Sequence, residues 1–203
     1  MNNASLVNQS SAEAGFEYYT PAVWIEAART LMGKIDLDPA SCETANQTVK
    51  AETIYDKNLN GLTMPWYGRV WMNHPFHRGE APCPSDHSKC KKKACKQRGY
   101  HITTPIPGNA DWINKLLQEY MAGRVTEAVC ITFCNSSEAW FKPLLQWPQC
   151  FPHGRVHYIG QDGQRVKGCT KGSVITYIGK RTDEFAKAFA DLGTIKVPYK
   201  EAV

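Results

Sequence analysis

Glu127-Ala128-Val129-Cys130-Ile131-Thr132-Phe133 is an apolar run of strand length with no alternation of polar and apolar residues. A strand covered on both faces reads this way, because neither set of its side chains meets water. Just upstream, Ile113, Leu116, Leu117, Tyr120 and Met121 fall at i, i+3, i+4, i+7 and i+8, and Gly123 follows. That spacing predicts an amphipathic helix with its apolar face toward the strand. Working backward, Arg69-Val70-Trp71-Met72 reads as a strand that stops at Asn73-His74-Pro75-Phe76, Lys34 to Pro39 as a short strand ended by proline, and Ile54-Tyr55 as a third. Thr20-Pro21 opens a helix through Trp24, Ala28 and Leu31 to Gly33, with Thr20 as its cap and Pro21 as its first residue. Ser41 is placed to cap a short helix over Glu43 to Ala51. Working forward, a helical stretch from Ala139 to Leu145 is broken by Pro143. Arg155 to Ile159 and Ser173 to Ile178 read as a hairpin around Asp162-Gly163. A last helix takes Thr182 as cap and Phe185, Ala188, Phe189 and Leu192 as its apolar face. The fold class expected is therefore α/β, with a mostly parallel sheet ending in an antiparallel hairpin.

The chain has 203 residues, 42% hydrophobic and 21% charged, enough for one domain with a real core. No apolar run approaches the roughly 20 residues of a membrane span. The opening MNNASLVNQSSAEAG lacks the charged-then-apolar order of a signal peptide, so residues 1–15 are expected to be a flexible arm and the location cytoplasmic.

Charge and cysteine converge on one segment. The net charge is +5. Between Pro82 and His101, Lys89, Lys91, Lys92, Lys93, Lys96 and Arg98 stand against Asp86 alone, which accounts for all of that excess. A local basic patch is the footprint of a polyanionic partner. The same segment holds Cys83, Cys90 and Cys95, with His87 and His101 among them, whereas the other five of the eight cysteines are scattered. The pattern Cys83-x6-Cys90-x4-Cys95-x5-His101 offers three thiolates and one imidazole, with His87 a second candidate for the fourth place. A tetrahedral structural zinc takes such a set. Residues 80–107 have little apolar surface to bury, so a metal would supply the folding energy of this inserted module.

In an open α/β sheet, ligands bind beyond the carboxyl ends of strands. One such end is Asp36-Leu37-Asp38-Pro39, whose carboxylates suit a sugar hydroxyl or an ammonium group. Another is Asn73-His74-Pro75-Phe76: a side-chain amide, backbone carbonyls and a ring that suit a planar amino-aromatic base.

Taken together, these residues resemble the phage-type DNA N6-adenine methyltransferases, the Dam family. The resemblance rests on Tyr18-Tyr19-Thr20-Pro21, on Leu37 to Ser41 with Asn46, on Gly61-Leu62 with Trp66, on Gly68 to Asn73, on Trp140-Phe141 and on Gly154-Arg155. It spans roughly Phe16 to Ile195 outside the inserted module. His74 stands where the family's catalytic tetrapeptide has its first proline, Asn60 where the family often has Asp, and no glycine-rich loop follows Asp38-Pro39. The resemblance implies a Rossmann-like methyltransferase domain over residues 16–203, in the host cytoplasm if phage-encoded. It further implies S-adenosylmethionine as cofactor, DNA as partner and methyl transfer to adenine N6. Asn73, His74, Pro75 and Phe76 would be catalytic, and Thr20, Pro21, Asp36, Asp38 and Pro39 would bind the cofactor. The six cations of the module would bind DNA phosphates. A cytosine-N4 methyltransferase, or a non-catalytic zinc-stabilised nucleic-acid binder on the same fold, are the alternatives.

Overall fold

The computed structural model describes residues 18–166 and 171–199; the expected arm of residues 1–15 and Cys169 lie outside them. Nine strands form. They are β1 (Leu37–Asp38), β2 (Thr53–Ile54), β3 (Gly68–Met72), β4 (Arg78–Glu80), β5 (Ile106–Gly108), β6 (Val125–Phe133), β7 (Gln149–Pro152), β8 (Ser173–Ile178) and β9 (Gly193–Lys196). Seven of them make one sheet in the order β2-β1-β3-β6-β8-β7-β9, and β4 pairs with β5 separately. From β2 to β6 every pairing is parallel; β6–β8, β8–β7 and β7–β9 are antiparallel. Since β6 and β7 both oppose β8, they run the same way, and only β8 and β9 run against the rest.

The two-residue period of the strands sorts their side chains into two cores. Trp71, Val129, Ile131, Ile175 and Tyr177 join α1 (Ala22–Met32) and α5 (Thr182–Phe189) on one face, through Trp24, Ile25, Leu31, Phe185 and Phe189. Val70, Met72, Ala128, Cys130, Val174 and Ile178 join α4 (Asn109–Met121) on the other, through Trp112, Ile113 and Leu116. The central strand β6 is thus covered on both faces, as its apolar run predicts. No helix is long and apolar enough to cross a membrane among the described residues.

Several sequence expectations are corrected. Pro21, not Thr20, occupies the cap of α1, and no side chain caps it. The cap of α2 (Glu43–Val49) is Cys42, not Ser41; its sulfur accepts from the Ala45 N–H at 3.5 Å. Met121 lies 77% exposed, because α4 has turned past the core by its last residue. Arg181, not Thr182, caps α5. Only a 3-10 turn, Lys142–Gln146, forms around Pro143. The largest change is the hairpin: Arg155 to Ile159 forms no strand, and β8 pairs instead with β6 and with β7. Residue 159 makes isolated bridges to Tyr19 and Arg165, so this stretch ties the start of the chain to a surface loop.

Candidate functional site

Strand order creates the site. From β1 the chain moves outward to β2, then crosses back over β1 to β3, and from β3 it moves the other way to β6. Connections therefore leave the carboxyl ends of β1 and β3 in opposite directions, which opens a crevice between them. A cleft of about 660 Å³ lies there, a size suited to a small-molecule ligand. Asp38 to Cys42 line it from the end of β1, Tyr55 to Asn58 from the end of β2, and Asn73 and Pro75 from the end of β3. Tyr18, Tyr19 and Thr20 close it from the front of α1.

Three polar groups in this cleft carry chemistry. Asp38 is 2% exposed, and burial pushes its carboxyl up to about 7. Its Oδ1 accepts from the Ala40 N–H at 3.2 Å, which turns the chain sharply after β1. Thr20 is 6% exposed and, freed from capping, its Oγ1 is buried with no hydrogen-bond partner. A buried hydroxyl left unpaired costs about 1–3 kcal/mol, so a ligand that bonds it recovers that energy. Asn73 donates from Nδ2 to the Tyr18 carbonyl at 2.8 Å, which leaves Oδ1 as the acceptor side of the amide.

The floor of the cleft explains part of the sequence pattern. A Cβ on Gly61 would fall 1.9 Å from the Pro39 carbonyl oxygen, so only glycine lets the two loops touch. The buried Trp66 indole N–H donates to the Gly61 carbonyl at 2.7 Å and pins that contact. Asn46 bonds both the N–H and the C=O of Ala51, at 2.8 and 3.2 Å, and so sets the entry to β2.

Other candidate residues lie elsewhere. Asp36 is outside the cleft: it accepts from Lys34 at 2.7 Å and from the Arg69 N–H at 2.8 Å. Against the opposing effect of burial, those partners hold its carboxyl below the usual range. Pro21 caps α1 and does not line the cleft. The His74 ring is buried and does not line the cleft, and burial pushes its pKa down to about 4. Phe76 packs on Phe133 with ring centroids 4.4 Å apart and on Tyr158 at 6.0 Å, so its partly buried ring lies against the core and does not line the cleft. The rings that do line the cleft are Tyr18, Tyr19, Tyr55, Trp71 and Trp112. Sequence reading left Tyr55, Asp56, Lys57, Asn58 and Gln161 unassigned, because only the fold carries them to β1 and β3.

The second site is a candidate metal centre. β4 and β5 pair as Arg78↔Gly108 and Glu80↔Ile106 and form the stem of the inserted module. Beyond the stem, the Cys83 N–H donates to the Ile102 carbonyl at 2.8 Å, which continues the closure. The six-residue helix α3 (Lys93–Arg98) carries Cys95 and ends at Gly99, which takes φ +79°. The ligand atoms of Cys83, Cys90, Cys95 and His101 all lie within 4.8 Å of one another, a group able to hold a metal ion. His101 Nδ1 is buried with no hydrogen-bond partner. His87 stacks on the His101 ring at 4.3 Å and is not part of the group, so the fourth place falls to His101.

The module's cations divide into two kinds. Arg98 forms a two-pronged bond to Glu80, at 2.8 and 2.9 Å, and donates to the Cys95 sulfur at 3.3 Å. Lys92 bonds the carbonyls of Ala81 and Pro82. Both brace the module from within, and Arg98 holds the Glu80 carboxyl down to about 2. Lys91, Lys93 and Lys96 are exposed, and Lys89 pairs with Asp86 at 3.1 Å. No protein-family model, no curated protein and no solved structure matches the chain.

Proposed function

We propose that the chain is an S-adenosylmethionine-dependent DNA methyltransferase acting on adenine N6, with a structural zinc module that holds DNA. One observation carries the reading: Asp38 and Asn73 share a single cleft at the switch point of the sheet, with the Asn73 amide already oriented by the Tyr18 carbonyl. Asp38 suits hydroxyl or ammonium groups of the cofactor, and Thr20 Oγ1 and the Pro39 loop add contacts beside it. Bound S-adenosylmethionine supplies an electrophilic methyl group. Asn73 Oδ1 and the His74 backbone carbonyl accept from the exocyclic amine of a flipped-out adenine. Accepting those N–H bonds draws lone-pair density onto the nitrogen and makes it nucleophilic. Pro75 supplies an apolar wall. With the Phe76 ring outside the cleft lining, stacking on the base falls to Tyr18 or Tyr19. The protein's share of catalysis is positioning, and no covalent intermediate on the enzyme is needed.

Zinc suits the metal centre because its donors are three thiols and an imidazole. Zn–S bonds of about 2.3 Å put the sulfur atoms of a tetrahedron about 3.8 Å apart. The Cys90–Cys95 separation is 3.7 Å and the Cys83–Cys95 separation 3.2 Å, so little movement is needed. With zinc bound, Lys91, Lys93 and Lys96 stand on a fixed frame, placed to meet phosphates.

Mass analysis of nucleosides from DNA of cells expressing the protein tests the reading, and N6-methyladenine is the expected product. N4-methylcytosine instead would change the base. Absence of both, with no S-adenosylmethionine binding by calorimetry, would leave a non-catalytic nucleic-acid binder.

A further inference from the structure

The Asn73–Phe76 turn lacks one restraint that its role demands. Asn73 Oδ1 and the His74 carbonyl must be held within a few tenths of an ångström to act on one amine. Proline at the second position would fix φ by its ring; His74 has no such ring. The His74 side chain is nonetheless immobilised from three directions. Its Nε2 lies 3.0 Å from Asn109 Oδ1, so the imidazole carries its hydrogen on Nε2 and donates. Its ring stacks on Trp112, 6.1 Å between centroids with planes 27° apart, and meets Phe76 edge-on at 5.4 Å. Asn109 is itself fixed. It opens α4, whose Ile113 and Leu116 are fully buried, and its backbone N–H donates to the His77 carbonyl at 2.7 Å. The preceding glycine is locked too, since a Cβ on Gly108 would fall 2.4 Å from the Gly79 nitrogen. Asn109 therefore bonds the turn through its side chain and His77, the residue after the turn, through its backbone, just where the inserted module ends and α4 begins.

Energetics argue that the imidazole is there for this bond. His74 Nδ1 is buried with no hydrogen-bond partner. A phenyl or leucyl side chain would fill the same space without stranding a polar atom. What only the imidazole adds is the donor to Asn109.

We propose that Asn109 is a positioning residue for methyl transfer: through its side-chain bond to His74 it sets the geometry of Asn73 and of the His74 carbonyl, in place of a proline ring. The proposal rests on the methyltransferase reading for its kinetic consequence, but its structural half stands alone. Nitrogen NMR of the holoprotein should show His74 as the Nε2–H tautomer, with a slowly exchanging Nε2–H and one set of Asn73 side-chain amide signals. Asn109→Leu should erase that Nε2–H signal and shift the Asn73 amide. It should also lower kcat by about 10²-fold, the scale of a remote misplacement, with the S-adenosylmethionine dissociation constant nearly unchanged. Asn109→Asp keeps an oxygen acceptor and at pH 8 should restore both the Nε2–H signal and most of kcat. If Asn109→Leu does not fold, His74→Phe keeps the ring stack, loses the donor and should shift the Asn73 amide in the same way. Unchanged Asn73 signals in a folded variant of either kind would overturn the proposal. So would a kcat that is unmoved by Asn109→Leu. A wild-type protein that transfers no methyl group would instead refute the functional reading, and the NMR comparison would still decide whether Asn109 holds the turn.

Discussion

Asp38 lines the cleft, His74 is buried next to Asn73, and burial disfavours the charged form of each. Their linkages to stability oppose one another. The Asp38 carboxyl moves from an ordinary 3.8 up to about 7 in the fold, so its stabilising effect is full below pH 3.8 and is lost as pH rises to about 7. His74 moves from 6.5 down to about 4, so its effect is full above pH 6.5 and is lost as pH falls to about 4. Between pH 4 and 6.5 the two slopes offset. Relative to wild type, Asp38→Asn should melt at a higher temperature at pH 8 and should expose the His74 slope, its stability rising from pH 4 to 6.5. His74→Gln should expose the opposite slope, falling from pH 4 to 7. Thermal denaturation across that range checks both, and two parallel profiles would mean that neither group is buried as described. The same Asp38→Asn change should weaken S-adenosylmethionine binding about tenfold or more by calorimetry. At Asn73, alanine removes an acceptor and little else. Turnover should fall by about 2–4 kcal/mol of transition-state stabilisation, with cofactor affinity retained. Wild-type rates in Asn73→Ala would place the reacting amine elsewhere.

At the scale of elements, what could be read depended on whether the signal was local. The strands β3 and β6 were legible because they are covered on both faces by their own apolar residues. β7 and β9, Gln149–Pro152 and Gly193–Lys196, carry polar residues, a proline and a glycine, and exist because each finds a partner far along the chain. Arg155 to Ile159 looked like a hairpin strand because a turn signal followed it, yet β8 already had β6 and β7 on its two edges. The metal group was legible for the opposite reason: its ligands fall within one short segment. The cleft was legible only in part. Asp38 and Asn73 announce themselves as strand ends, whereas Thr20 read as a helix cap and its free hydroxyl emerged only with the backbone geometry. The Gly61–Pro39 contact is another feature that only the fold reveals. Gly61→Ala must push the two loops apart, since its Cβ would lie 1.9 Å from a backbone oxygen that cannot rotate away. Stability should drop by about 1–3 kcal/mol, as for other overpacked sites. Cofactor affinity should drop with it, because Pro39 and Gly61 both line the cleft. Denaturant melts and calorimetry on this one variant would reveal a loss of stability without a loss of affinity, the result that would remove Pro39 from the binding site.

For the whole molecule, the proposed function has the cleft at the carboxyl ends of β1 and β3 and the charged module serve one polymer. The module opens at β4, just after the Asn73–Phe76 turn, and closes at β5, directly before α4. Its stem thus joins the fold beside the turn proposed to hold the flipped base, with the Asn109 N–H bonded to the His77 carbonyl. Those cations are unequal. Lys92 and Arg98 are spent on Glu80 and on the loop carbonyls, so alanine at either should unsettle the module itself. Lys91, Lys93 and Lys96 point outward and should act on phosphates alone. Duplex binding releases counterions in proportion to the phosphates neutralised, with a log–log salt slope of about −0.9 for each. Replacing Lys91, Lys93 and Lys96 together by alanine should therefore flatten the slope by up to about 2.7, and weaken binding by similar amounts across unrelated sequences. Zinc content and S-adenosylmethionine affinity should both stay at wild-type values, since none of the three lysines belongs to the Cys83, Cys90, Cys95 and His101 group or lines the cleft. Filter binding at a series of salt concentrations, with metal analysis of the same samples, measures all of this. A slope that does not change while zinc is retained would mean that the three lysines are only a solvated surface, and that the duplex is gripped from another face of the protein.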